Sequence, residues 1–479
     1  MAIRTESRQK QVGDSHSSDS HQSPETSQPH LKRDLRLFDA TALVIGCIIG
    51  AGIFRVASPV AGVLQSPALV LLAWVIGGLI SLSGALCYAE LGGAFPKSGG
   101  DYVYLTEAYG RVAGFLFGWT KLFIERTGTI AILGFVFSEY LGFFTHYGPT
   151  GSKVAASCAI LALTAVNIVG IHTAKGVQNF FSTLKVLALV GIIATGIIFW
   201  NHVPAAQNLL PFLPTTFNGN TFMSIGMALV FILWTYGGWT ESAYVAEEIK
   251  NPARDLPWSI ILGLGLTTTL YLIVNLIYMA YVPLVEMATH KLAAAEMMTR
   301  AVGSAGAAVI SVMVICSTFG ALNGYILTSS RILYAIGNDH PLFALLGKVN
   351  AKYITPVRAL LFNAVWALVL VWTGTLDSIV TYSTVIISIF YGMAGFSVFI
   401  LRKKFPDVER PFKVWGYPIT PMIFVIAMAA FVGSVWIQSP KDTGWGFLLL
   451  VAGLPLYWIS QRIGNFCHPE RSEGSASKN

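Results

Sequence analysis

Twelve long apolar runs succeed one another along the chain, at about 39–63, 67–92, 111–142, 153–171, 177–201, 221–247, 257–282, 305–335, 357–373, 379–400, 419–438 and 443–463. A hydrocarbon core of about 30 Å takes roughly 20 apolar residues in a helix, so each run is of spanning length or close to it. None shows strand-like alternation, which argues against a barrel. A helix satisfies its own backbone, as lipid demands. Only 11% of the 479 residues are charged and 54% are hydrophobic, whereas a soluble domain carries about 25% charged residues. The chain reads as an all-α, multi-pass integral membrane protein with 12 transmembrane helices.

The basic residues set the expected topology. With the N-terminus inside, only Lys153, Lys291, Arg300 and Lys441 fall in outer loops, and Arg55, Lys121, Arg126 and Lys185 fall within spans. The others are inside, among them Lys32, Arg33, Arg36, Lys250, Arg254 and the cluster Arg402-Lys403-Lys404. Under the positive-inside rule both termini are cytoplasmic, in a cell (inner) membrane. The net charge of +7 is then an orientation signal, and no nucleic-acid partner is expected. Residues 1–36 and 466–479 read as polar cytoplasmic tails, the first disordered and without a cleavable signal. Cys47, Cys87, Cys158 and Cys316 lie in apolar runs and, with Cys467, show neither metal spacing nor a disulfide framework. The histidines fall in tails and loops. No metal and no cofactor is expected, and no hydrolase or metalloprotease motif is present, so the chain is not read as an enzyme.

Two runs are interrupted. The first contains Gly46-Cys47-Ile48-Ile49-Gly50-Ala51-Gly52-Ile53-Phe54, and the sixth contains Trp234-Thr235-Tyr236-Gly237-Gly238-Trp239-Thr240-Glu241. Glycine costs about 1 kcal/mol in a helix interior, so both are natural break points. Taken singly, either could merely let helices pack closely. Their offset of five helices instead suggests two paired repeats, with discontinuous helices at a midplane transport site. An unwound turn bares N–H groups on one side and C=O groups on the other. The half-helix starting near Gly52 would offer its positive end to a carboxylate, and free carbonyls near Ile48 and Trp234 would suit an ammonium. The pair complements an amino acid zwitterion without a buried charged side chain. The substrate side chain would project toward Trp234, Tyr236 and the third and eighth helices.

These stretches resemble the amino acid–polyamine–organocation superfamily, and within it the L-type amino acid transporter (LAT) group and related bacterial permeases. Ile49-Gly50-Ala51-Gly52-Ile53-Phe54 is similar to the family's G-S-G-I-F break, and Phe95-Pro96-Lys97-Ser98-Gly99-Gly100-Asp101-Tyr102 to its F-P-x-S-G-G-x-Y loop. Ala246-Glu247-Glu248-Ile249-Lys250-Asn251-Pro252 resembles A-E-E-x-x-N-P. Ser317-Thr318-Phe319-Gly320 with Ser329-Ser330-Arg331 resembles the eighth helix, and Arg410-Pro411-Phe412-Lys413 the loop after the tenth. The resemblance spans about 38–460. It implies a LeuT-like 5+5 inverted repeat with broken helices 1 and 6: one repeat over 37–200, a second over 201–405, and helices 11 and 12 over 406–465. It implies that the Ala51 and Gly52 amides hold the substrate carboxylate, that the Ile48, Trp234 and Gly237 carbonyls hold its amino group, and that Trp234 closes the site from outside. Ala51 stands where the common pattern has Ser, which removes a hydroxyl donor worth about 1 kcal/mol.

Lys185, taken alone, reads equally as a snorkelling lysine near the start of the fifth helix. The resemblance implies an ammonium in the place of a sodium ion, bridging helices one and eight, and hence sodium-independent exchange or facilitated transport. Lys121 and Glu125 stand four apart and can neutralise one another. Arg126 lacks an obvious local partner, and Arg55 reads as a surface anchor. Arg126 and Glu241 are possible pathway charges, Glu241 serving a cationic substrate, a proton, or a pairing with Arg126. The leading expectation is an antiporter or facilitator of neutral L-amino acids working by alternating access. A proton-coupled permease for basic amino acids or polyamines and an amino-acid-binding membrane sensor are the alternatives. Phe143 to Lys153 holds no cysteine, so the disulfide-linked heavy chain of eukaryotic LAT proteins is not expected.

Overall fold

The protein is described by a computed structural model covering residues 36–95, 100–169, 171–214, 219–240, 249–290, 292–350 and 355–467. Both tails, the loop at 96–99 and the 241–248 segment with Glu241, Glu247 and Glu248 lie outside these residues. The described chain is helical and contains no strand, only an isolated bridge between Asn350 and Thr355.

The first run is split into α1 (Leu37–Ile48), the short α2 (Gly52–Arg55) and α3 (Ala57–Val63). There follow α4 (Pro67–Ala94), α5 (Asp101–Tyr109) and α6 (Arg111–Thr120), which a π-turn at Lys121–Glu125 joins to α7 (Arg126–Thr145). Next come α8 (Pro149–Val169), α9 (Ile171–Ile198), α10 (Ala205–Asn208) and α11 (Gly219–Tyr236). The second half holds α12 (Pro252–Tyr281), α13 (Leu284–Met287), α14 (Ala293–Val302), α15 (Ser304–Asp339), α16 (Val357–Thr373) and α17 (Leu376–Lys404). The chain finishes with α18 (Ile419–Gln438), α19 (Pro440–Val451) and α20 (Gly453–Cys467). Pro67, Pro252 and Pro440 open their helices at the first turn, where a missing N–H costs nothing.

Among the described residues, 9 helices are long and apolar enough to cross a membrane. Three shorter apolar helices, Thr183–Ile198, Thr221–Tyr236 and Val357–Thr373, fall on the remaining three runs of the sequence. Two of these lengths have visible causes, the sixth run being cut by its glycines after Tyr236 and Gly374 ending the α16 helix, whereas Thr183–Ile198 is the later part of the 28-residue α9. Apolar side chains such as Leu79, Ile197, Val365 and Trp458 face outward, as a lipid-bathed surface requires.

Inside, polar pairs tie helix to helix. Asn167 of α8 donates to Asn323 of α15 at 2.8 Å, and Asn363 of α16 to Ser329 at 2.6 Å. At one end, buried Glu90 of α4 takes two bonds from Arg402 of α17 (2.7 and 2.6 Å) and one from the Val414 amide (2.7 Å). Arg410 then caps α17 by donating to the Leu401 and Phe405 carbonyls. At the first break, Arg55 meets Glu139 of α7 at 2.9 Å. Arg55 is therefore a partly buried ion-pair member and not the surface anchor read from sequence.

Candidate functional site

The first helix breaks because one amide changes partner. Ile49 still donates to Ile45 (2.8 Å), but Gly50 donates to Ile48 (2.7 Å) instead of completing the helical bond to Gly46. The Gly46 carbonyl is thereby released, and the Lys185 ammonium takes it at 3.1 Å. Lys185 is 1% exposed and lies near the middle of α9. That placement corrects the reading of a snorkelling lysine near a helix start: burial leaves no route to an interface, and the ammonium replaces the missing N–H of α1.

The second break mirrors the first. Helix α11 ends at Tyr236, Gly237 tightens back onto the Trp234 carbonyl at 3.0 Å, and Gly238 adopts φ 109°. The two breaks touch backbone to backbone. A Cβ on Gly238 would lie 2.7 Å from the Cys47 oxygen and 3.1 Å from the Ile48 nitrogen, and one on Gly52 would lie 2.7 Å from Thr235 Oγ1. Glycine is required at 238 twice over, by its left-handed backbone and by this approach.

The carbonyls expected to be free are engaged. Ile48 O accepts from Gly50 N–H and from the Tyr271 hydroxyl at 2.9 Å, and Trp234 O accepts from Gly237 N–H. Buried carbonyls seek donors, so an incoming ammonium must share or replace these bonds. The first-turn amides after the break keep the opposite character, since a helix start has no intrahelical acceptor for them.

Two adjoining cavities lie around the breaks. The smaller, about 340 Å³, is lined by Ile48, Gly50, Ala51, Gly52, Trp234, Thr235 and Gly237 together with Thr129, Ala321 and Tyr325. The larger, about 710 Å³, shares Thr129, Trp234, Gly237 and Tyr325 with it and continues past Ser81, Glu125, Ser383, Thr384, Ser388 and Tyr391. A third cavity of about 290 Å³, beside Arg55, Phe231 and Asp377, also ends on Trp234. Trp234 thus forms a wall of all three.

Five of the six expected binding residues, Ile48, Ala51, Gly52, Trp234 and Gly237, meet at the smaller cavity. Tyr236 does not line either of the two cavities and corrects the expectation. Its hydroxyl donates to the Trp74 carbonyl at 3.1 Å, and its ring packs edge-on to Trp74 at 5.7 Å and near Tyr271 at 5.6 Å. In a helix Tyr236 lies about 200° around from Trp234, so both cannot face one cavity. Tyr236 instead buttresses Tyr271, the donor to Ile48.

The charges on the third helix are organised by the π-turn. Its extra residue misaligns the backbone ladder, and side chains take up the carbonyls: Trp366 donates to Phe123 at 2.9 Å, Ser383 to Ile124 at 3.1 Å and Thr127 to Leu122 at 3.1 Å. Lys121 meets Glu125 at 3.2 Å as the spacing predicts. Arg126 also has a local partner, contrary to expectation: its Nε lies 3.3 Å from the same Glu125 oxygen, and its guanidinium stands over the Tyr325 ring at 5.3 Å. Sequence reasoning missed Glu125, Thr129, Tyr325 and the hydroxyls of α17 as lining groups. The run Thr381, Ser383, Thr384 and Ser388 in an apolar helix was the available signal. Among the described residues no cluster of histidine, cysteine or carboxylate side chains could hold a metal.

Amino acid permeases match residues 35–459. The chain belongs to the amino acid permease family. It is 32% identical over 448 residues to the mouse (Mus musculus) b(0,+)-type amino acid transporter 1, covering 91% of this chain and 90% of that protein. It is 33% identical over 434 residues to the serine/threonine exchanger SteT of Bacillus subtilis, covering 89% and 97%. It is 33% identical over 447 residues to the human large neutral amino acids transporter small subunit 2, covering 90% and 80%. This permease is therefore a multi-pass membrane transporter of amino acids and not an enzyme.

Proposed function

We propose that this permease exchanges or facilitates neutral L-amino acids independently of sodium, by alternating access across the two breaks. The observation that carries the reading is Lys185 on the Gly46 carbonyl. A fixed ammonium supplies at the first break the charge that a coupling cation would otherwise bring. The substrate carboxylate meets the amides of Ala51 and Gly52, the amino group competes for the Ile48, Trp234 and Gly237 carbonyls, and Trp234 parts the site from the cavity beside Arg55. Twelve spans in two five-helix repeats (37–200 and 201–405), helices 11 and 12 (406–465) and cytoplasmic termini complete the reading. The named activities of SteT and of the human relative, serine/threonine exchange and large neutral amino acid transport, support a neutral substrate. With no cysteine between Phe143 and Lys153, it acts without a disulfide-linked partner.

The proton-coupled alternative rests on Glu241, which lies outside the described residues; Glu125, the carboxylate that lines the larger cavity, is held between two cations. The test is uptake of radiolabelled alanine into proteoliposomes, with and without internal alanine and with and without sodium. Uptake that needs internal amino acid, or at least ignores sodium and pH gradients, is expected. Uptake driven by sodium or protons would overturn the proposal.

A further inference from the structure

We infer that α18 sets the upper size of the substrate side chain, with Met428 and Phe424 acting as the stop against which large neutral side chains end. The inference rests on the transport reading above and concerns the part of the larger cavity that the smaller one does not share.

A substrate anchored at the breaks sends its side chain past the residues common to both cavities, Thr129, Trp234, Gly237 and Tyr325. The space beyond is far larger than a methyl group. At about 710 Å³ it lies within the range of roughly 300–1,000 Å³ found for small-molecule pockets. Met428 and Phe424 line this space and not the smaller cavity. They stand four apart and so share one face of α18. The buried stripe of that face continues through Pro421, Phe431 and Val435, which line neither cavity. Ile426, on the opposite face, is exposed.

Glycines on the neighbouring helices let these two side chains reach so far. A Cβ on Gly84 of α4 would stand 2.5 Å from Phe424 Cε2, and one on Gly395 of α17 would stand 2.7 Å from Cδ1 on the other edge of the ring. Small residues at helix contacts permit this close approach. The Phe424 ring is thus wedged between α4 and α17, and Trp239 stands edge-on to it at 6.4 Å. Met428 is seated more loosely, since a Cβ on Gly392 would lie 3.3 Å from its own Cβ. Its unbranched thioether can adapt to what it meets. Phe424 is then a fixed wall and Met428 an adjustable one. With Ile80, Ile387 and Trp239 they give the space apolar and aromatic surface. In such a pocket one methylene more or less changes discrimination by about 10- to 200-fold, so this wall reads the size of a side chain.

The test uses purified full-length protein in proteoliposomes loaded with alanine. Inhibition of labelled-alanine exchange by alanine, leucine, phenylalanine and tryptophan is titrated for wild type, Met428→Phe, Met428→Ala and the lipid-facing control Ile426→Ala. Each affinity is expressed relative to alanine within the same protein, so a general loss of transport cancels. Leucine and phenylalanine should both inhibit the wild type. Met428→Phe should weaken phenylalanine by about tenfold, Met428→Ala should strengthen tryptophan by about tenfold, and Ile426→Ala should leave every ratio within twofold. If a Met428 variant does not fold, Phe424→Leu takes its place and should strengthen tryptophan as Met428→Ala does. A shift below threefold in any folded Met428 or Phe424 variant, a shift in the opposite direction, or an equal shift in Ile426→Ala overturns the inference. Wild-type exchange of alanine that neither leucine nor phenylalanine inhibits sinks this inference and leaves the transport reading standing. No exchange of any neutral amino acid sinks both.

Discussion

Replacing Lys185 by methionine keeps the length of the side chain and removes its donors. In the structure that substitution strips the Gly46 carbonyl of its 3.1 Å partner, and the helical donor that would otherwise serve it, Gly50 N–H, is committed to Ile48. Losing a charge-assisted bond to a buried acceptor costs about 2–3 kcal/mol. If that cost falls on the broken conformation of the first helix, the competent population drops by about 30- to 150-fold. Global stability should change little, because the same substitution also removes the desolvation cost of a fully buried ammonium. The expected signature is Lys185→Met protein that purifies as a monodisperse species, melts within a few degrees of wild type, and exchanges alanine at least about 30-fold more slowly. A variant that exchanges within twofold of wild type would refute the view that this contact maintains the break.

Other expectations follow from single contacts. Gly238→Ala should abolish exchange, since its Cβ collides with the Cys47 backbone at a φ of 109°. Gly433→Ala, with nothing within 4 Å, should stay within twofold in the same assay. Tyr236→Phe should raise the half-saturating alanine concentration by no more than about threefold, because its hydroxyl serves Trp74 and not the cavity. A tenfold rise would return Tyr236 to the binding site. Glu90→Ala leaves Arg402 and the Val414 amide without their buried acceptor and should destabilise by about 3–5 kcal/mol. Thermal unfolding in detergent would register that loss, and an unchanged midpoint would show the Glu90 tie to be dispensable.

What the sequence determined by itself was everything that depends on near neighbours. Spans follow from runs of apolar residues, and the two breaks from glycines inside such runs, at Gly50–Gly52 and Gly237–Gly238. The i,i+4 pairing of Lys121 with Glu125 is equally local. Which way a side chain faces around a break is not. Helix period puts Trp234 and Tyr236 about 200° apart, but which of the two faces the cavity is decided only by packing, which sets Tyr236 against Trp74 and Tyr271. Likewise Lys185 was legible as a charge in an apolar run, but its acceptor lies 139 residues away. The released Gly46 carbonyl exists only because Gly50 changed partner. The lining of the larger cavity draws on α4, the π-turn, α7, α11, α15, α17 and α18. Single hydroxyls on several helices become one polar surface only when packing brings them together. In lipid, where apolarity no longer separates inside from outside, that convergence is decided by helix packing and buried hydrogen bonds, and those are properties of the tertiary structure.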